Sequence, residues 1–214
     1  MDKNYWDNYY KFHGKDKEIC MPSTFAIFIQ ENFLKKKSFR IIELGAGNGR
    51  DAIFFASLDH HVIALDQSIS NIELEKNYLE KKISNSLYPV STDFIKEDFN
   101  KYKKIDVFYS RFSIHSISQK DEEILLPKIF CNLERNGFFC IEVRTTKDPL
   151  FGVGEFCCDT TYLNDNHKRR FIDTNVFRKK VKDLGFREIY FIEKNDLSIY
   201  KDDNPVLMRI VLQK

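Results

Sequence analysis

Along this chain the apolar residues gather in short unbroken runs, separated by longer stretches in which apolar and charged positions mix. The runs "FRIIEL", "HVIALD", "YPVSTD", "IDVFYS" and "FFCIEV" end at Leu44, at Asp66, near Asp93, at Ser110 and at Val143. They are rich in Ile, Val, Phe and Tyr and show no consistent polar alternation. That suits strands covered on both faces, as in a parallel sheet. The mixed stretches between them predict helices over 50–58, 69–84, 121–133 and 174–184. In the second helix Ile72, Tyr78, Leu79 and Ile83 supply one apolar face. Pro127 in the third belongs in a first turn or at a kink, because proline lacks the amide that a helix interior needs. In the fourth, Thr174 can cap the start and Gly185 the end. "REIYFIEK" and "VLMRIVLQ" read as two last strands, joined by a polar loop that holds Asp202, Asp203 and Pro205.

Strand and helix alternate, and a strand pair closes the chain. This predicts a doubly wound, Rossmann-like α/β fold: a mostly parallel seven-stranded sheet with one antiparallel strand at its C-terminal end. The sequence has no internal repeat and no linker rich in Gly, Pro or Ser. It therefore reads as one domain over 1–214, with a helical cap or lid over 1–38 ahead of an α/β core over 39–214.

The joint after the first predicted strand is unusual. "IIELGAGNGRDAIFF" places Gly45, Gly47 and Gly49 within five positions. In a doubly wound sheet this turn is where a nucleotide-like ligand lies. Glycine tolerates positive φ and lets a ligand approach the backbone, and the helix that follows offers free amides and a partial positive charge. A plain β–α turn needs one glycine rather than three in alternation. The dinucleotide fingerprint Gly-x-Gly-x-x-Gly would put its third glycine at position 50, which is Arg50.

"ELGAGNGRD" resembles the first motif of class I S-adenosylmethionine-dependent methyltransferases, an acid, a hydrophobic residue and then Gly-x-Gly-x-Gly. The resemblance continues over roughly residues 40–145. "VIALDQS" resembles the second motif, whose acid binds the ribose hydroxyls; this implies Asp66, with Gln67 beside it. Asp66 lies 21 positions after Gly45, the spacing expected of an acid that meets a ribose at the end of the second strand. "STDF" resembles the motif whose acid binds the adenine amino group, implying Asp93, with Phe94 on the adenine ring; Asp98 in "EDF" competes with Asp93. "KIDVFYSRFSIHSI" resembles the fourth-strand segment, which implies Ser110 near the cofactor, and "LERNGFFCIEV" the helix–turn–strand after it. The implied cofactor is S-adenosylmethionine, leaving S-adenosylhomocysteine as product, with no metal. A carboxylate at Asp66 can accept two charge-assisted hydrogen bonds from a diol, while Glu43 lies close enough in sequence to meet the cofactor's ammonium. The bland alternative for Asp66 is a helix cap, since Ser68 and Ile69 follow it.

Methyl transfer is an in-line displacement in which positioning supplies much of the catalysis, and a base is needed only where the nucleophile must lose a proton. His115 in "YSRFSIHSI" is the candidate base, against a histidine packed at a helix start. Arg111 nearby suggests an anionic group, against an ion pair to a neighbouring acid. Downstream, Arg144 follows the fifth strand, and His167, Lys168, Arg169 and Arg170 form a basic run. With Arg111 these residues can clamp a phosphate or carboxylate; the alternative is a solvated basic loop. The segments "YSRF-x-x-H" and Arg-Arg-Phe resemble small methyltransferases of bacterial capsule and lipopolysaccharide gene clusters. Some of those methylate capsule components, including the phosphoramidate decoration. The implied acceptor is small and anionic.

Composition narrows the rivals. The 214 residues carry 34 basic and 32 acidic side chains, a net charge of +2, which gives no general pull toward nucleic acid or membrane. A nucleic-acid methyltransferase acting on adenine amino groups would carry Asn/Asp-Pro-Pro-Tyr/Phe where this chain has "YSRF". A dehydrogenase on the same sheet meets the mismatch at Arg50. A non-catalytic module that keeps the cofactor pocket stays open. The five cysteines include no Cys-x-x-Cys, and so predict reduced thiols in a cytoplasm. The aromatic start "MDKNYWDNYY" is not a signal peptide. Tyr5, Trp6, Tyr9 and Tyr10 there are candidates for a lid over the site or for a cap on the core. The oligomeric state is not legible.

Overall fold

The unbroken apolar runs become strands of one sheet. A computed structural model describes residues 21–35, 37–68, 85–164 and 167–214. Its strands are β1 (Arg40–Leu44), β2 (His61–Asp66), β3 (Leu87–Ser91), β4 (Ile105–Arg111), β5 (Leu133–Arg144), β6 (Glu155–Cys158), β7 (Thr161–Asn164), β8 (His167–Arg170), β9 (Arg187–Lys194) and β10 (Leu207–Gln213). The helices are α1 (Thr24–Phe33), α2 (Arg50–Ser57), α3 (Gln119–Asn132) and α4 (Thr174–Asp183), with 3-10 turns over Phe99–Lys101 and Ile114–Ser116. Seven strands form one sheet in the order β3–β2–β1–β4–β5–β10–β9. β1 and β2 are parallel from Arg40↔His61 to Leu44↔Leu65, and β2 and β3 are parallel from Val62↔Leu87 to Asp66↔Ser91. β10 runs antiparallel to both β5 and β9. This is the mostly parallel α/β sheet that the alternating pattern predicts, with its antiparallel strand at the C-terminal end. The expected helix over 69–84 and the aromatic N-terminal segment lie outside the described residues. No helix among the described residues is long and apolar enough to cross a membrane.

Packing divides into two compact units, with the boundary between Tyr109 and Ser110. In the first, Tyr109 stacks on Phe25 (centroids 5.2 Å apart) and meets Phe55 edge-on at 5.1 Å. Its hydroxyl donates to buried Asp51, which also accepts from the amide and hydroxyl of Ser23 at 2.7 Å each. Ser23 is in turn the cap of α1, accepting from the Ala26 amide. One buried carboxylate thus fixes the starts of α1 and α2 and the end of β4.

In the second unit Phe139 and Phe186, with Ile141, Val143, Ile210 and Leu212, form the core. Two local expectations are corrected there. Asp173, not Thr174, caps α4, because its carboxylate reaches the amides of both Asn175 and Val176. Pro127 lies well inside α3 rather than in its first turn, which leaves the kink of the two expected places, and Ser118 caps that helix earlier than expected by accepting from the Asp121 amide. A three-stranded antiparallel sheet, β6–β7–β8, occupies the segment that reads as a basic loop.

Candidate functional site

The glycine joint is built in the first unit. Gly45, Gly47 and Gly49 have φ of 72°, 58° and 77°, all left-handed, a region L side chains enter only at a cost. The amides of Gly45 and Ala46 both donate to Leu65 O, at 2.8 and 3.0 Å, which ties the loop to the end of β2. Gly49 starts α2 with no side chain of its own to cap that end, and the Asn48 Oδ1 accepts from the Arg50 amide at 3.4 Å. Asp66, the last residue of β2, holds the loop from the other side. Its Oδ2 accepts from the Gly47 amide and its Oδ1 from the Ser68 amide, each at 2.8 Å. The carboxylate is therefore a strut that sets the glycine turn, and the helix it was expected to cap lies outside the described residues. Glu43 is buried in β1, paired in register with Ala64.

This cradle fits S-adenosylmethionine. The turn is poor in β-carbons and lies at a helix start, with an acid fixed at the next strand tip. Gln67 follows Asp66 and is half-buried. Asp93 opens a tight turn in which its Oδ1 accepts from the Ile95 amide at 3.1 Å. Buried Glu97 braces that turn by accepting from Thr92 Oγ1 and Tyr102 Oη. Asp98, the competitor, caps the Phe99–Lys101 turn instead. Phe94 is only 1% exposed. It serves the core and offers no open face for an adenine ring, a correction to its expected role.

The second unit gathers the basic residues. His115 sits in the 3-10 turn after β4, buried, and its Nδ1 accepts from the Arg144 amide at 3.1 Å. Burial pushes its pKa well below 6.5, and the positive charges of Arg144, Arg169, His167 and Arg170 push it further. The sheet β6–β8 thus brings the basic run to the turn that holds His115, as Arg170 donating to Ile114 O at 2.9 Å also shows. With Nδ1 accepting, the neutral ring carries its proton on Nε2 and can only donate there. That corrects the expectation of a general base.

The other cations are paired. Arg111 Nε donates to Glu142 Oε1 at 2.9 Å and Arg111 Nη2 to Ser198 Oγ at 2.7 Å, so the ion-pair alternative describes it. Arg170 bonds Glu122 at 2.6 Å beneath the surface, which makes it a structural residue rather than part of an open clamp. Arg144 reaches Asp148 and Asp203. His167 is buried and Arg169 half-buried. Ser110 is buried, with its hydroxyl 2.6 Å from that of Ser113.

Sequence reasoning missed three features. Phe112 has φ of 58°, a left-handed aromatic residue immediately after β4, and no sequence signal marks it. Glu142 and Arg209 pair across β5 and β10 at 2.5 Å. Their signal is a lone charge inside each of two apolar runs. The carboxylate partners of Arg144 escape the sequence as well; Asp148-Pro149 is a turn signal, and Asp203 reads only as loop.

The family model described as a methyltransferase domain matches residues 35–200. Similar solved structures include the 1,6-didemethyltoxoflavin N1-methyltransferase of Burkholderia thailandensis, with bound 1,6-didemethyltoxoflavin and S-adenosylhomocysteine. It is 16% identical with a TM-score of 0.73, over 99% of this chain and 86% of that one. The glycopeptide N-methyltransferase MtfA is 16% identical, TM-score 0.69, over 90% and 95%. A methyltransferase of Methanosarcina mazei is 14% identical, TM-score 0.71, over 87% and 96%. None of the curated proteins matches this chain.

Proposed function

This chain belongs to the methyltransferase-domain family and uses S-adenosylmethionine, and from that premise we propose that it methylates a small anionic, phosphorylated acceptor. The observation that carries this reading is the gathering of Arg144, His167 and Arg169 around His115, in a chain whose net charge is only +2. The bound cofactor supplies an electrophilic methyl on a sulfonium. Glu43, the glycine turn, Asp66, Gln67 and Asp93 hold it in this reading, with Asp66 on the ribose. Arg144, His167 and Arg169 attract the acceptor, and His115 donates from Nε2 rather than removing a proton. An ionised oxygen needs no base to attack, and that favours an acidic oxygen over a hydroxyl. The motif resemblance to methyltransferases of capsule and lipopolysaccharide gene clusters suggests a cytoplasmic step in building a cell-surface polysaccharide. A net charge of only +2 does not suit broad nucleic-acid binding.

The test is incubation with methyl-labelled S-adenosylmethionine and matched phosphorylated, carboxylated and neutral small acceptors. Transfer is expected to the phosphorylated members. Transfer confined to neutral acceptors, or to RNA or DNA, contradicts the reading.

A further inference from the structure

We propose that Asp203 is a displaceable carboxylate that holds the acceptor anion's place on Arg144, so that the site admits a dianion and turns away a monoanion. The inference rests on the anionic-acceptor reading above.

Three buried arginine–carboxylate clusters occur among the described residues 110–214. Glu142, 0% exposed, gives one oxygen to Arg111 and the other to Arg209. Glu122, 3% exposed, divides its oxygens between Arg170 and Lys180. Arg144 is held differently. Its Nη1 donates at 2.9 Å to Asp148, which is 0% exposed, but its Nη2 donates to Asp203, whose side chain is 46% exposed. Asp148 is fixed by its turn, with Oδ1 accepting from the Leu150 amide at 2.9 Å. Asp203 is fixed through its backbone alone, in reciprocal bonds with Tyr200 at 2.9 and 3.0 Å. Rotation of its side chain therefore frees one edge of Arg144 without opening the loop. Water weakens a half-exposed pair and solvates the released carboxylate.

A monoanionic carboxylate that replaces Asp203 exchanges like for like. A phosphate dianion brings a second charge and a geometry that suits the guanidinium fork. The residue that occupies the arginine thereby sets the charge an acceptor must carry.

The full chain is titrated at pH 8 with inorganic phosphate and with acetate, followed through the backbone amide of Arg144 by NMR. Wild-type protein is compared with Asp203→Asn and with Asp202→Asn, which makes the same charge change one residue away. Wild-type protein is expected to bind phosphate about tenfold more tightly than acetate. Asp203→Asn is expected to tighten acetate by about tenfold and phosphate by about threefold, while Asp202→Asn moves either by less than about twofold. Equal shifts in the two variants overturn the proposal and leave the anionic acceptor standing. No response of the Arg144 amide to either anion in any variant overturns both.

Discussion

The segment Tyr109–His115 shows how individual residues hold this protein together. Tyr109 binds Asp51, Arg111 binds Glu142, and His115 accepts the Arg144 amide. Between them Phe112 takes φ of 58°, stacked under the Arg111 guanidinium at 4.2 Å and 5.4 Å from the His115 ring. A left-handed non-glycine residue costs roughly 1–2 kcal/mol. Phe112→Ala loses the ring and keeps that cost, whereas Phe112→Gly loses the ring and the cost together. Urea denaturation should find the glycine variant the more stable of the two by about 1 kcal/mol, and the reverse order would remove the strain. His115 makes a second residue-level prediction. Its pKa is lowered by burial first and by its cationic neighbours second, and burial likewise lowers that of His60. Below pH 6.5 the unfolded chain therefore binds protons that the folded chain refuses. The stability these rings contribute is complete above that pH and is lost as the pH falls, with a slope of at most about 1.4 kcal/mol per pH unit for each ring. Stability measured between pH 7.5 and 5.5 should decline, and His115→Asn should flatten the decline.

Elements are where legibility was most uneven. Each long apolar run became a strand of the main sheet: β1, β2, β4, β5 and β10 are largely buried, whereas β3 and β9 are half-buried or exposed along most of their length. The pair "FFCIEV" and "VLMRIVLQ" held more than apolar burial, since Glu142 and Arg209 meet between β5 and β10. Removing that buried carboxylate while leaving both arginines should be severe. Glu142→Ala is expected to cost about 3–5 kcal/mol in urea denaturation, and Glu142→Leu combined with Arg209→Met to recover most of it. A loss below about 1 kcal/mol for the single change would mean the cluster is not structurally required. The sheet β6–β8 was not legible: its strands are four residues long and two of them, "EFCC" and "HKRR", lack an apolar alternation. A trace existed at Asp159, which with Thr160 forms the turn between β6 and β7 and takes φ of 48°, a conformation aspartate tolerates better than most.

Across the whole molecule the proposed cofactor side is more local in sequence than the proposed acceptor side, for a physical reason. A glycine turn and a strand-tip acid are local in sequence, so the left-handed turn at Gly45, Gly47 and Gly49 and the strand-end position of Asp66 were legible before any contact was known. Cations acquire their meaning only from partners far along the chain: Arg111 meets Glu142 and Ser198, Arg144 meets Asp203, and Arg170 meets Glu122. No spacing rule links those positions, and the basic run therefore looked more open than it is. The cradle also ties structure to the proposed function through one side chain, since Asp66 sets the glycine turn and is the residue proposed to hold the ribose. Calorimetric titration of S-adenosylhomocysteine into the wild-type protein and Asp66→Ala bears on this most directly. The wild-type protein should bind one equivalent, and the variant should bind about 30–150-fold more weakly, the equivalent of roughly 2–3 kcal/mol for two charge-assisted bonds. Equal affinities in the two proteins, or no uptake by the wild-type chain, would contradict the assignment of this turn as the cofactor site.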